Sequence, residues 1–185
     1  MKKFFLLLIS LAATPLLSSA QQWSVGTNAL GYANMGTLNM EASASVARHL
    51  SVNATVEVNP WTFNAGDPQR QKQNRSQSYA VGMRWWPWYV YSGWWAAGKL
   101  RYSEYNRGGF LSRSTEEGDA YGAGISAGYS LMLTDNLNLE AGAGFWGGYR
   151  TYTVYPCPTC GKVSGGGSKW FLAPSEALLS LVFIF

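Results

Sequence analysis

The segment Glu176-Ala177-Leu178-Leu179-Ser180-Leu181-Val182-Phe183-Ile184-Phe185 alternates: Ala177, Leu179, Leu181, Phe183 and Phe185 point one way, and Glu176, Ser180 and Val182 are among those that point the other. A period of two is the signature of a strand. Working back along the chain, the same dyad recurs in 137–146, 121–131, 52–59 and 38–46. Further candidates are 94–105, 78–86 and 23–32, about eight strands in all. Eight is the smallest number that closes an outer-membrane barrel.

Composition excludes the main competitors. Of 185 residues 47% are hydrophobic and 15% aromatic, but only 13% are charged, and glycine supplies 21. Disordered chains carry more charge and fewer aromatics, and these glycines follow no three-residue period. A mean hydropathy of −0.09 is too low for a bundle of spanning helices. Lys2 and Lys3, an apolar run from Phe4 to Leu17 and the small residues Ser18-Ser19-Ala20 read as an export signal cleaved after Ala20. That division makes 1–20 a signal peptide and 21–185 the barrel domain. Without Lys2 and Lys3 the remainder has 12 basic and 10 acidic residues and no basic run, so nucleic acid is not an expected partner.

Alternation alone does not separate a barrel in lipid from a soluble one. Charge parity does. Glu41, Glu57, Arg84, Lys99, Arg101, Glu140 and Glu176 all fall on the inward parity, whereas no charge falls mid-strand on the outward faces. A charge on the lipid face near the midplane costs about 2–4 kcal/mol. The seven inward charges, nearly balanced, are expected to pair as a lumen network. Aromatics, Trp86 and Tyr91 among them, crowd the strand ends, where headgroup girdles belong. The connections alternate as well. Those near 48–50, 87–92 and 134–136 are short, and those at 64–77, 106–118 and 151–173 are long, as expected of periplasmic turns and outer loops. The first outer connection, 33–36, is only a turn.

The blocks Thr27-Asn28-Ala29-Leu30, Asn59-Pro60-Trp61-Thr62-Phe63, Tyr121-Gly122-Ala123-Gly124 and Cys157-Pro158-Thr159-Cys160-Gly161, followed by Ala173-Pro174, carry a resemblance. They look like those of a family of small outer-membrane barrel proteins with a domain of unknown function, found in Bacteroides-like Gram-negative bacteria. Members are often encoded near fimbrial genes, which implies a link to fimbrial or other cell-surface assembly. The resemblance brings no activity, cofactor or catalytic residue.

Cys157 and Cys160, the only cysteines, most simply form a loop disulfide in an exported protein. Zinc shared between chains, a redox pair and free thiols are the competing readings. Gly165-Gly166-Gly167 lacks the Lys-Ser or Lys-Thr of a phosphate loop and reads as flexible loop. The single histidine, His49, falls in a periplasmic turn, the wrong end for lipid-A chemistry. The expected function is therefore non-enzymatic, structural or surface-contacting, without cofactor or metal. A small pore is the alternative, and a lipid-A-modifying enzyme ranks below it. Expected contacts with lipopolysaccharide fall on Arg70, Lys72, Arg75, Arg107, Arg113, Lys162 and Lys169. Phe185, a terminal aromatic after an alternating strand, is expected to be the signal that the outer-membrane assembly machinery reads.

Overall fold

A computed structural model describes residues 23–67, 70–109, 113–159 and 161–185, with backbone alone at 175 and 176. The expected signal 1–20, Cys160 and the side chain of Glu176 lie outside the described residues. The strands are β1 (Trp23–Asn28), β2 (Leu38–Ala47), β3 (Leu50–Asn59), β4 (Thr62–Phe63), β5 (Lys72–Trp85), β6 (Gly93–Gly108), β7 (Thr115–Thr134), β8 (Leu137–Tyr155) and β9 (Gly165–Ile184). One short helix, α1 (Ala29–Ala33), follows β1. The sheet runs β3-β2-β1-β9-β8-β7-β6-β5-β4, and a further pairing of β3 with β5 closes it. Every pairing is antiparallel. The result is a closed barrel of eight strands, with β4 a two-residue addition on the outer part of β5.

The outward parity carries a continuous apolar belt. On β6 it reads Trp94, Ala96, Gly98, Leu100, Tyr102, and on β7 Tyr121, Ala123, Ile125, Ala127, Tyr129, all exposed. Ile125, midway along β7, is 73% exposed. Water would not favour so much bare hydrocarbon on one surface. The belt stops at a row of direct cross-strand partners: Tyr79 opposite Tyr102, Tyr102 opposite Tyr121, Tyr121 opposite Tyr149, and Tyr149 opposite Trp170. Beyond the row the same parity turns polar, with Gln77, Glu104, Asp119, Thr151 and Ser168. The Tyr102 hydroxyl donates to Asp119 at 2.6 Å and the Tyr149 hydroxyl is 2.6 Å from Ser168 Oγ, so two of the phenols reach toward that polar side.

Three expectations are corrected. Residues 29–32 do not extend β1. Asn28 caps a helix there, its Oδ1 accepting from Leu30 N–H at 3.1 Å, and Met35 and Gly36 at positive φ turn the chain back. The long outer loops are also shorter than expected, at 64–71, 109–114 and 156–164, because β5 to β9 run on past the aromatic row. There both faces are polar, as with inward Glu116 and outward Glu117, so the apolar dyad that marks a half-buried strand disappears while the ladder continues. Lys72, Arg75, Arg107 and Lys169 consequently lie on strands, and Gly165-Gly166-Gly167 opens β9 rather than a flexible loop. Third, Trp86 and Tyr91 are buried inside the barrel instead of lying in a girdle.

Those two rings close the end of the barrel that carries the short turns. Trp86 donates from Nε1 to Ser51 Oγ at 3.0 Å and meets Tyr91 edge-on at 5.9 Å. Trp95, Ala97, Leu178, Val182 and Ile184 complete the cluster. Two inward glycines make the room. A Cβ on Gly128 or Gly142 would come within 2.5 or 2.9 Å of Trp95 Cζ2. The glycine-rich face of β7 and β8 is therefore filled, there, by an indole rather than left as a channel.

Candidate functional site

Above that aromatic floor the lumen is crossed by charge. Arg84 on β5 donates through Nη1 to Glu140 Oε2 on β8 at 2.8 Å and through Nη2 to Glu41 on β2. Lys99 on β6 reaches Glu41 Oε2 at 3.0 Å, and Asn53 and Thr55 donate to the same oxygen at 3.1 and 2.9 Å. The Arg84 guanidinium lies over the Trp95 ring at 4.5 Å. Five strands, β2, β3, β5, β6 and β8, are thus tied through two carboxylates. Strand parity delivers this: each partner occupies an inward position, and the narrow lumen of eight strands brings opposite walls within side-chain reach. Arg84 and Glu140 are almost fully buried, so each needs the other.

Further toward the open end, Arg101 pairs with Glu57 and covers the Trp146 ring at 5.2 Å. Here the lumen widens into a vestibule of about 650 Å³. Its wall includes Arg101, Arg107 and Arg150 with Trp146 and Phe171, the two rings meeting edge-on at 4.6 Å, and α1 stands at one side. Arg150 Nη1 is 3.2 Å from Glu116 Oε1. Tyr105 also donates to Glu116 Oε1, at 2.9 Å. Arg107 lies 5.6 Å over the Tyr105 ring and has no carboxylate within 4 Å among the described residues. The buried Nε–H groups of Arg101 and Arg150 find no acceptor among the described residues.

Of the seven inward charges expected to form a network, Glu41, Arg84, Lys99 and Glu140 form one cluster and Arg101 and Glu57 a separate pair, while the Glu176 side chain is not described. The expected contact residues scatter. Arg70, 3.9 Å from Asp67, Arg113 and Lys162 lie in connections; Lys72 and Arg75 lie on β5. Arg107 belongs to the vestibule, and Lys169 Nζ lies 5.0 Å over the Tyr152 ring. Cys157 is disulfide-bonded, whereas Cys160 is outside the described residues. His49 sits in the turn between β2 and β3, at the end opposite the vestibule, with Nδ1 3.0 Å from Trp86 O. Phe185 exchanges two backbone hydrogen bonds with Trp23, at 3.1 and 2.9 Å, where the barrel closes. Arg150 and Phe171 were missed in the sequence. The signal that finds Arg150 is its parity: it follows outward Tyr149 on a strand that continues beyond Trp146.

An eight-stranded closed barrel with an apolar exterior, a charge-plugged lumen and a basic, aromatic vestibule at one end is the class that these features define. Residues 4–185 match the family model described as "Protein of unknown function (DUF3575)", and the chain belongs to that family. No curated protein and no solved structure matches it.

Proposed function

We propose that the protein is a non-enzymatic outer-membrane β-barrel that supplies structure and contacts at the cell surface. The observation that carries this reading is the apolar belt ending at the aromatic row. From Trp94 to Tyr102 is eight residue steps, about 27 Å along the strand and about 20 Å along the axis of a barrel tilted by about 40°, comparable to the lipid-facing band of such barrels. The row then lies at the outer headgroups, where tyrosine and tryptophan are favoured. The polar sheet beyond it, with Lys72, Arg75 and the connections bearing Arg70, Arg113 and Lys162, faces lipopolysaccharide and surface partners. A role in fimbrial or other surface assembly extends this reading on the strength of the resemblance alone. The cluster around Arg84 argues against a passive pore, because it crosses the lumen where an aqueous path would run.

Cell fractionation combined with gel migration of unboiled and boiled samples tests the proposal. The protein should sediment with the outer membrane and migrate differently when boiled, as a barrel that resists detergent until heated. Recovery as a soluble periplasmic protein with one migration position would refute it.

A further inference from the structure

The barrel wall is incomplete beside the vestibule. β1 pairs with β9 only from Ser24 opposite Ile184 to Asn28 opposite Ser180, whereas β8 pairs with β9 up to Gly165. Past the end of β1, the Asn28 side chain supplies two more links, Oδ1 accepting from Leu179 N–H at 3.1 Å and Nδ2 donating to Ala177 O at 3.2 Å. Beyond Ala177 no strand adjoins that edge of β9 among the described residues, and α1 stands in its place. Pro174 lies in this stretch, and proline is tolerated at an edge because it has no N–H to donate. The gap begins on the belt side of Trp170, the β9 member of the aromatic row, and outward Leu172 within it is 78% exposed. Both banks of the gap, Leu30 on α1 and Ala173 on β9, also line the vestibule.

Among the described residues the vestibule lining carries three arginines, Arg101, Arg107 and Arg150, against two carboxylates, Glu57 and Glu116. Just above, Lys169 is the direct cross-strand partner of Arg150 and adds a fourth cation to this end of the lumen. The uncommitted Arg107 and the unused Nε–H donors of Arg101 and Arg150 offer charge-assisted hydrogen bonds to an anion. Trp146 and Phe171 provide an apolar path from these arginines to the gap.

We propose that the vestibule is a lateral-entry binding site for a long-chain fatty acid. The carboxylate is held by Arg107 with Arg101 and Arg150, and the hydrocarbon chain lies over Trp146 and Phe171 and leaves between α1 and β9. The volume suits one chain of this kind. The inference rests on the lipid-facing reading of the exterior and adds a ligand class to it.

The test uses the full exported barrel in phospholipid nanodiscs, with radiolabelled palmitate as probe and palmityl alcohol as its uncharged counterpart. Empty nanodiscs give the background, and heat-modifiable migration confirms that each variant is folded. Wild type should bind palmitate saturably and palmityl alcohol far more weakly. Arg107→Gln, which breaks no ion pair, should weaken palmitate binding about tenfold, the loss expected for one charge-assisted contact. Ala173→Trp, which places a bulky ring at the β9 bank of the gap, should weaken palmitate and the alcohol alike. No saturable binding by folded wild type would overturn the site. Equal affinity for palmitate in wild type and Arg107→Gln, or for palmitate and the alcohol in wild type, would overturn the role of the arginines. A barrel that reaches the outer membrane yet binds no palmitate contradicts this inference alone and leaves the proposed function standing.

Discussion

Arg84→Ala should cost the barrel about 3–5 kcal/mol of folding stability, because it leaves the buried Glu140 carboxylate without its guanidinium partner. Arg84 is 2% exposed and Glu140 1%, so neither charge has solvent to fall back on. Glu41 retains Lys99, Asn53 and Thr55. Glu140 loses its only ion pair among the described residues. The stacking of the guanidinium on Trp95 disappears as well, which loosens the aromatic floor. Urea unfolding of the barrel in lipid vesicles measures the effect. The double variant Arg84→Ala, Glu140→Gln should recover part of the loss, since removing both charges leaves less to desolvate. A single variant within about 0.5 kcal/mol of wild type, the range of an ordinary surface change, would contradict the buried pairing.

Ile125→Arg is expected to have the next largest effect, and it separates a lipid exterior from a water one. Ile125 lies midway between Tyr121 and Tyr129 on the outward face and is 73% exposed. In a bilayer an arginine there costs about 2–4 kcal/mol, while on a water-exposed strand the change stays within about 0.5 kcal/mol. Unfolding in vesicles should show the larger figure. The companion Glu104→Arg, on the same parity of β6 but past Tyr102, should be nearly silent.

Much of the wall was legible in the sequence because one physical demand, an apolar outer face and a lumen-facing inner one, repeats along the strands at the level of the belt. The dyads at Leu38–Val46, Val52–Val58 and Tyr121–Leu131 each put one face on the belt and the other in the lumen, and the structure keeps that parity. Inward Glu41, Arg84, Lys99 and Glu140 follow from the same alternation. Their partners do not, since Glu41 meets residues of β3, β5 and β6 whose proximity depends on closure of the barrel. Trp86 and Tyr91 resemble girdle residues in sequence because they flank a short turn, yet the connection folds into the barrel end and buries both. Helix α1 was hidden because Asn28-Ala29-Leu30 suits a capped helical turn as well as a strand end, and only the lateral gap beside β9 decides between them. The strand extensions past the aromatic row escaped notice for a simpler reason: where both faces are polar, period two leaves no trace in hydropathy.

If the aromatic row and the belt below it mark a bilayer, spin labels on the two sides of the row meet different collision partners. Cysteine at 125 and, separately, at 104, in a background with Cys157 and Cys160 replaced by serine, would be labelled and the barrel reconstituted in phospholipid vesicles. Collisions with oxygen, which concentrates in hydrocarbon, and with a water-soluble nickel chelate would then be compared at the two sites. High oxygen and low nickel accessibility is expected at 125 and the reverse at 104. Nickel reaching 125 as readily as 104 would contradict it.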